Sequence, residues 1–416
     1  MSSITSTAAR AALFDPDVFK NGDPATFGLP LEAYAYLREH DPCFLQEFDS
    51  PFLRERAWVF TRYEDVSAIN RDGETWSAVG GPFLFRFPFL DIQHPLGKPS
   101  LLTTDAPDAG RQRGTVNRGF TPARVAELEK GFRDYARQIV DEALEVGTCN
   151  FVRKVAHTMP TEALGDVLGI PSEDREQFFH WVDTLASPFD ERVTPSLEAA
   201  LAANIALMEY AKELAGKRLE SGENDVISEL ARANAAGRIS DAELAGNVGV
   251  LANGAAESTR SALSHGVHQL MLHPDKMAWL RERASDIPLS AIHEMVRFST
   301  PFPQFIRHAT RDVEIRGQRI QEGDCVLFHL ASANFDPEAF DRPDEIDLER
   351  DSNAHLSFGR GPHACLGKHV AALEMKILLE ELLRRTKDIV PAGPVLYGRC
   401  FVTRPIYDLP VTLVPA

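Results

Sequence analysis

The chain has 416 residues, of which 44% are apolar and 25% charged, the balance of an ordinary globular protein. Its formal net charge of −17 argues against a phosphate-binding surface, because nucleic-acid binders carry a basic patch or stripe. No nucleic acid is expected as a partner. The segment from Met1 to Phe14 has no apolar run long enough for a signal peptide or membrane anchor, so a cytoplasmic protein with no membrane association is expected. The five cysteines (Cys43, Cys149, Cys325, Cys365 and Cys400) are odd in number and scattered. They form neither a disulfide framework nor a zinc spacing, which fits a reducing cytosol. No linker, repeat or low-complexity tract divides the chain, so one large unit is expected behind a flexible N-terminal segment over residues 1–23.

In chain order, residues 58–61 read as a short strand and 63–70 as the start of a helix. Residues 83–90 carry Phe83, Leu84, Phe85, Phe87, Phe89 and Leu90, with Pro82, Pro88 and Pro95 breaking any regular helix. Such a stretch reads either as a loop tucked over the core or as the wall and lid of an apolar pocket. Helical patterns follow at 124–145, 159–167, 173–185 and 196–218, with a Pro-broken connection over 183–195. Ser240-Asp241-Ala242-Glu243 is a capping box. It opens a helical segment reaching His273, just before Pro274, roughly 50 Å long at 1.5 Å per residue. Gly246, Gly249 and Gly254 lie inside it, each costing ~1 kcal/mol against Ala, which suggests close packing against something flat. Short strands are expected at 313–316, 319–320, 325–329, 402–403 and 411–414. The class is mainly α with small peripheral β-sheets.

The run Phe358-Gly359-Arg360-Gly361-Pro362-His363-Ala364-Cys365-Leu366-Gly367 is the most informative in the chain. Its glycines let the backbone approach a flat group closely. Val370, Leu373, Ile377 and Leu378 then give an apolar stripe at helical spacing, which puts Cys365 near a helix N-terminus, where a thiolate is favoured. A thiolate on haem iron promotes O–O cleavage. The plainer alternative is a buried structural cysteine beside a tight turn. The pattern Phe-Gly-x-Gly-x-His-x-Cys-x-Gly resembles the ligand loop of the cytochrome P450 family at every family-defining position.

Three further motifs follow the same resemblance, which extends from about Pro24 to the end of the chain. In Gly254-Ala255-Ala256-Glu257-Ser258-Thr259, Glu257 and Ser258 stand where the family places an acid and a hydroxyl for oxygen activation. The hydroxyl holds water or hydroperoxide, and the acid relays protons. Ala255 stands where Gly is usual and Ser258 where Thr is usual. By residue type alone, Ser258 could instead bond back to its own helix while Glu257 faces solvent. Glu294 and Arg297 share a helix face and resemble the family's buried structural pair. Its third partner is left open, because Glu345 replaces the usual Arg. Arg113, Arg307 and His363 match positions that anchor haem propionates, although Ala109 replaces a usual His.

The resemblance implies a single-domain cytochrome P450 fold over residues 24–416, from the soluble bacterial branch. Its cofactor would be haem b (heme, iron protoporphyrin IX), with Cys365 as the metal ligand, and its reaction O₂-dependent monooxygenation. By resemblance, the substrate would meet Phe83, Phe85, Phe87, Leu251, Ala255, Thr300, Phe302, Phe305, Phe401 and Val402. This favours a small-to-medium apolar compound such as a terpenoid, a steroid-like molecule or an alkyl-aromatic. No nicotinamide- or flavin-binding fingerprint follows a strand, so electrons are expected from NAD(P)H through a ferredoxin-type donor and its reductase. Arg111, Arg360 and Lys368 are candidates for the docking patch. The alternatives are a haem-thiolate peroxygenase or isomerase, and a non-catalytic haem sensor or carrier.

Overall fold

The computed structural model describes residues 4–15, 28–50, 53–84, 99–186, 191–351, 353–398 and 402–416. Among these residues the helices run in order α1 (Ser6–Phe14), α2 (Leu31–His40), α3 (Tyr63–Arg71), α4 (Asp108–Val116), α5 (Pro122–Val146), α6 (Thr158–Leu168) and α7 (Arg175–Ala186). They continue with α8 (Leu197–Ser221), α9 (Val226–Ala235), α10 (Asp241–Leu272), α11 (Pro274–Glu282), α12 (Leu289–Ser299), α13 (Leu330–Asn334) and α14 (Lys368–Arg385). None is long and apolar enough to cross a membrane. Residues 6–14, expected within a flexible segment, instead form α1. Ala9 and Leu13 anchor that helix in the core.

Among the described residues, four small sheets flank the helices. The largest has the order β1-β2-β8-β5-β3, built from Cys43–Glu47, Arg56–Phe60, Cys325–Phe328, Phe305–Ala309 and Trp76–Ser77. Strand β2 pairs parallel with β8, and β5 pairs antiparallel with β8, so that Phe305 faces Phe328 and Arg307 faces Val326. Successive side chains alternate across a strand, so Phe305 and Arg307 share one face of β5. Residues 402–403, expected as a strand, are not one. There the chain turns back on itself, the Arg404 N–H donating to the Pro301 carbonyl at 3.0 Å. Ile406–Asp408 is the next strand, and Pro410–Pro415 contains the strand expected at 411–414.

Helix α10 runs 32 residues, opened by the capping box at Ser240 and Glu243. Most of its side chains are buried, so it threads the core rather than riding the surface. Its glycines divide the work differently from the sequence expectation. A Cβ on Gly266 would lie 2.0 Å from Met295 Cε, so Gly266 is the residue that lets α12 pack against α10. A Cβ on Gly254 would meet nothing within 4 Å, because that face of the helix opens onto a cavity.

Candidate active site

Cys365 lines the cavity between α10 and the start of α14. The chain reaches it through left-handed turns at Gly359 (φ 60°) and Gly361 (φ 68°), a region costly for residues with a Cβ. A Cβ on Gly361 would sit 2.5 Å from the Asn70 carbonyl oxygen, so only glycine fits against α3. The Cys365 N–H donates to the Phe358 carbonyl at 2.7 Å, closing the loop and fixing the direction of the thiol. Burial pushes the Cys365 thiol up, while the N–H groups of Gly367 and Lys368, at the N-terminus of α14, work against that shift.

The loop is braced from behind by Asn334, a residue the sequence reading did not single out. Its Nδ2 donates to Ser357 Oγ and to Thr300 Oγ1, both at 2.8 Å, and its Oδ1 accepts from the Leu356 N–H at 2.7 Å. The Asn334 carbonyl accepts from Arg297 at 2.7 Å. Arg297 and Glu294 are fully buried and joined at 2.8 Å through two parallel hydrogen bonds, as the resemblance to a buried pair implied. The third partner is Arg350, whose Nε reaches Glu294 Oε2 at 3.2 Å. Glu345 contributes its backbone carbonyl to Arg297 and Arg350. The closing cation therefore stands five residues beyond the position where the family motif led us to look.

Opposite Cys365, α10 presents Leu251, Ala255, Glu257 and Ser258 to the same cavity. Ser258 Oγ donates to the Gly254 carbonyl at 2.6 Å, the back-bond that a serine one turn later can make. Glu257 does not face solvent: it is 1% exposed. Its Oε1 accepts from Ser261 Oγ at 2.7 Å, and its Oε2 is ion-paired with Arg260. Arg260 Nη1 also contacts Asp183 Oδ1 and His157 Nδ1, each at 3.0 Å. Asp183 and His157 are about a quarter to a third exposed, so the chain of polar groups joins the cavity acid to the outer surface. Burial and the neighbouring Arg260 cation hold the His157 imidazole below its ordinary range, partly opposed by Asp183.

Arg113, Arg307 and His363 converge on the cavity. Arg307 is 5% exposed, and its one hydrogen bond among the described residues goes to the Ile306 carbonyl at 2.8 Å. Burial draws its guanidinium down to about 10, opposed by Asp105. The Asp105 carboxylate itself accepts from Ser77 and from the Ala78 N–H. The Arg113 guanidinium has no hydrogen bond or ion pair among the described residues, and His363 Nδ1 lies 3.2 Å from the Leu101 carbonyl. Arg307 is the buried one of the three, and a buried cation without a paired carboxylate is costly, so it suits an anionic ligand. Burial draws the His363 imidazole down to about 4, so the two arginines are the cations of the set. Nothing would meet a Cβ on Gly254 or Gly367 within 4 Å, which leaves room for a flat group between the two helices. A haem with two propionates fits this residue set: one thiolate for the iron, cations for the carboxylates, glycines beside the ring. No cluster of three or more His, Cys, Asp or Glu side chains among the described residues could hold a metal by itself.

The remaining wall is aromatic. Phe83, Phe302 and Phe305 stack as three near-parallel rings, with centroids 5.4 to 6.4 Å apart and interplanar angles of 18° to 28°. All three line the cavity, as do Val402 and Thr403. Thr300 does not: its hydroxyl is turned away, donating to the Arg297 carbonyl at 2.7 Å and accepting from Asn334. Its left-handed backbone (φ 33°) caps α12, and Pro301 takes its place at the cavity. Phe85, Phe87 and Phe401 lie outside the described residues. Arg111 is committed elsewhere, to Asp108, Glu243 and the Arg238 carbonyl.

Comparison with known proteins agrees with this geometry. A family model for cytochrome P450 matches residues 161–391. A steroid C26-monooxygenase of Rhodococcus jostii is 31% identical, over 91% of this chain and 81% of that protein. One from Mycolicibacterium smegmatis is 32% identical, over 96% of this chain and 97% of that protein. Among solved structures, a Mycobacterium marinum cytochrome P450 in complex with pseudoionone superimposes with a TM-score of 0.87 at 30% identity, covering 95% of this chain and 99% of that one. The cysteine loop, the acid–hydroxyl helix and these relatives agree: the chain belongs to the cytochrome P450 family and is a monooxygenase.

Proposed function

We propose that the protein inserts one oxygen atom from O₂ into a C–H bond of a small-to-medium apolar substrate, a terpenoid, steroid-like or alkyl-aromatic compound. The observation that carries the reading is the stack of Phe83, Phe302 and Phe305, which lines the same cavity as Leu251 and Ala255. A flat aromatic wall favours rigid hydrocarbon skeletons and leaves few hydrogen-bonding groups for a strongly polar one. The steroids named for the relatives and the pseudoionone of the structural neighbour are likewise largely apolar.

Bound haem supplies the oxygen chemistry, with Cys365 as its iron ligand. Arg113, Arg307 and His363 would hold its propionates. Ser258 would orient a water by exchanging its bond to Gly254 for one into the cavity. Glu257, a carboxylate that accepts from Ser261 and Arg260, would relay a proton on releasing one of them, and Asp183 and His157 join it to the outer surface through Arg260. The hydrophobic walls exclude bulk water, which strengthens these interactions.

Electrons would come from NAD(P)H through a ferredoxin and its reductase. Lys368, which is exposed, and Arg71 on α3 lie either side of the Gly361–His363 turn, with Arg360 beside Tyr63. None of the three pairs with a carboxylate among the described residues, which suits an acidic partner. Charge reversal at Lys368 and Arg360 should slow reduction in a salt-dependent manner. Titrating the ferric holoenzyme with steroids, terpenoids and alkyl-aromatics tests the substrate reading. A low-to-high-spin shift followed by turnover with a ferredoxin chain supports it; product with peroxide alone favours a peroxygenase. Tight binding without turnover under either condition favours a sensor.

A further inference from the structure

Helix α10 carries a neutral amide at the cavity, Asn253, that the proposed oxygen chemistry leaves unused. Asn253 stands four residues before Glu257, just over one turn or roughly 6 Å along the helix, so both lie on the same side of α10. Both line the cavity. Asn253 Nδ2 donates to the Gly249 carbonyl at 3.0 Å. That bond fixes the direction of the amide, because the reversed orientation would set oxygen against oxygen. The Oδ1 therefore points away from the helix and takes no hydrogen bond from any described residue. Next to it, Gly254 leaves the wall open, with nothing within 4 Å of where its Cβ would stand.

We infer that Asn253 is a specificity-determining residue whose Oδ1 accepts a hydrogen bond from a hydroxyl on the otherwise apolar substrate. The preferred substrate is then an alcohol rather than the bare hydrocarbon. Its hydroxyl lies about one helix turn from the acid, on the α10 side of the cavity. A wall that offers an acceptor among apolar side chains rewards a donor and gives a hydrocarbon nothing. Sites built to hydrogen-bond a substrate hydroxyl discriminate strongly against analogues that lack it. The inference rests on the apolar-substrate reading and narrows it.

The test titrates the ferric holoenzyme with androstane, its alcohol androstanol and its ketone androstanone, in wild type, Asn253→Leu and Asn253→Ala. Each variant is first checked for an unchanged ferrous–carbonyl spectrum. Wild type should bind the alcohol about tenfold more tightly than the other two, equivalent to about 1.4 kcal/mol. Asn253→Leu should remove that preference and leave the hydrocarbon within about twofold of its original affinity. Equal loss of all three ligands in both variants would assign Asn253 to cavity shape and overturn the inference. An equal preference for the ketone would overturn the donor assignment. If the hydrocarbon binds and the alcohol gains nothing, the inference fails while the apolar-cavity reading stands. If none of the three shifts the spectrum, both fail.

Discussion

Ser258 Oγ donates to the Gly254 carbonyl at 2.6 Å, so the cavity hydroxyl rests against the turn of helix that a missing side chain leaves open. Serine lacks the methyl that restricts the rotation of threonine, so this hydroxyl can swing between its own helix and a ligand. Ser258→Ala should cut product per electron consumed by about tenfold, the effect of one lost hydrogen bond of ~1.4 kcal/mol, and divert the difference into peroxide. Ser258→Thr should raise coupling above wild type. Measuring product and peroxide against NAD(P)H consumed checks both, and equal coupling in all three would remove Ser258 from proton delivery.

The Glu257 carboxylate is held at both oxygens, by Ser261 and by Arg260. Glu257→Gln preserves its shape and removes the proton carrier. Turnover should fall by about 10²-fold, the lower range for general acid catalysis, with a larger solvent isotope effect and little change in substrate affinity. Arg260→Leu leaves Glu257 buried without its cation, so it should destabilise the fold as well as slow turnover, by about 3 kcal/mol for a broken buried pair. A thermal scan separates the two variants: only Arg260→Leu should lower Tm appreciably.

Asn334→Ala deletes a hub joining Thr300, Ser357 and Leu356. Each buried group left unsatisfied costs ~1–3 kcal/mol, so the variant should lose several degrees in Tm. Because the cysteine loop leans on this hub, it should also release haem faster to an apo-globin acceptor. Unchanged haem release would separate the hub from the loop.

Glu374 lines the cavity on α14, is 3% exposed and has no hydrogen bond among the described residues. Burial raises its carboxyl from 4.5 to about 8. Below pH 4.5 the group is protonated in both folded and unfolded chains. Between 4.5 and 8 only the folded chain keeps the proton, so this contribution to stability is lost as pH rises through that window. Glu374→Gln, neutral throughout, should therefore gain Tm over wild type as pH is raised from about 5 to about 8. A constant difference across that range would contradict the assignment.

Local chemistry explains what could be read from the chain alone. The glycines around Cys365, the capping box at Ser240 and the Glu294–Arg297 spacing each act within a few residues, and each is found in place. Contacts set by the tertiary fold escaped notice. Arg350 reaches Glu294 from 56 positions away, and Asn334 bonds Thr300 from 34. The outcome at Thr300 turned on that second bond, which draws its hydroxyl from the cavity. Gly254 and Gly266 are indistinguishable by residue type, and only the neighbours decide that one faces open space and the other Met295. Helix α4 went unread although Arg113 stood out within it, because its nine residues carry no apolar stripe long enough to read as a helix, and α9 had neither a long pattern nor a chemical motif.

The central claim is that Cys365, held by the loop that closes on Phe358, provides a thiolate to haem iron. The most direct test is the absorption spectrum of the dithionite-reduced, carbon monoxide-bound holoenzyme, compared with Cys365→Ser reconstituted with haem. Wild type should show the red-shifted Soret band of a thiolate-ligated carbonyl complex, and the variant should lose it while retaining bound haem. A wild-type spectrum without that band, or an identical band in Cys365→Ser, would contradict the account.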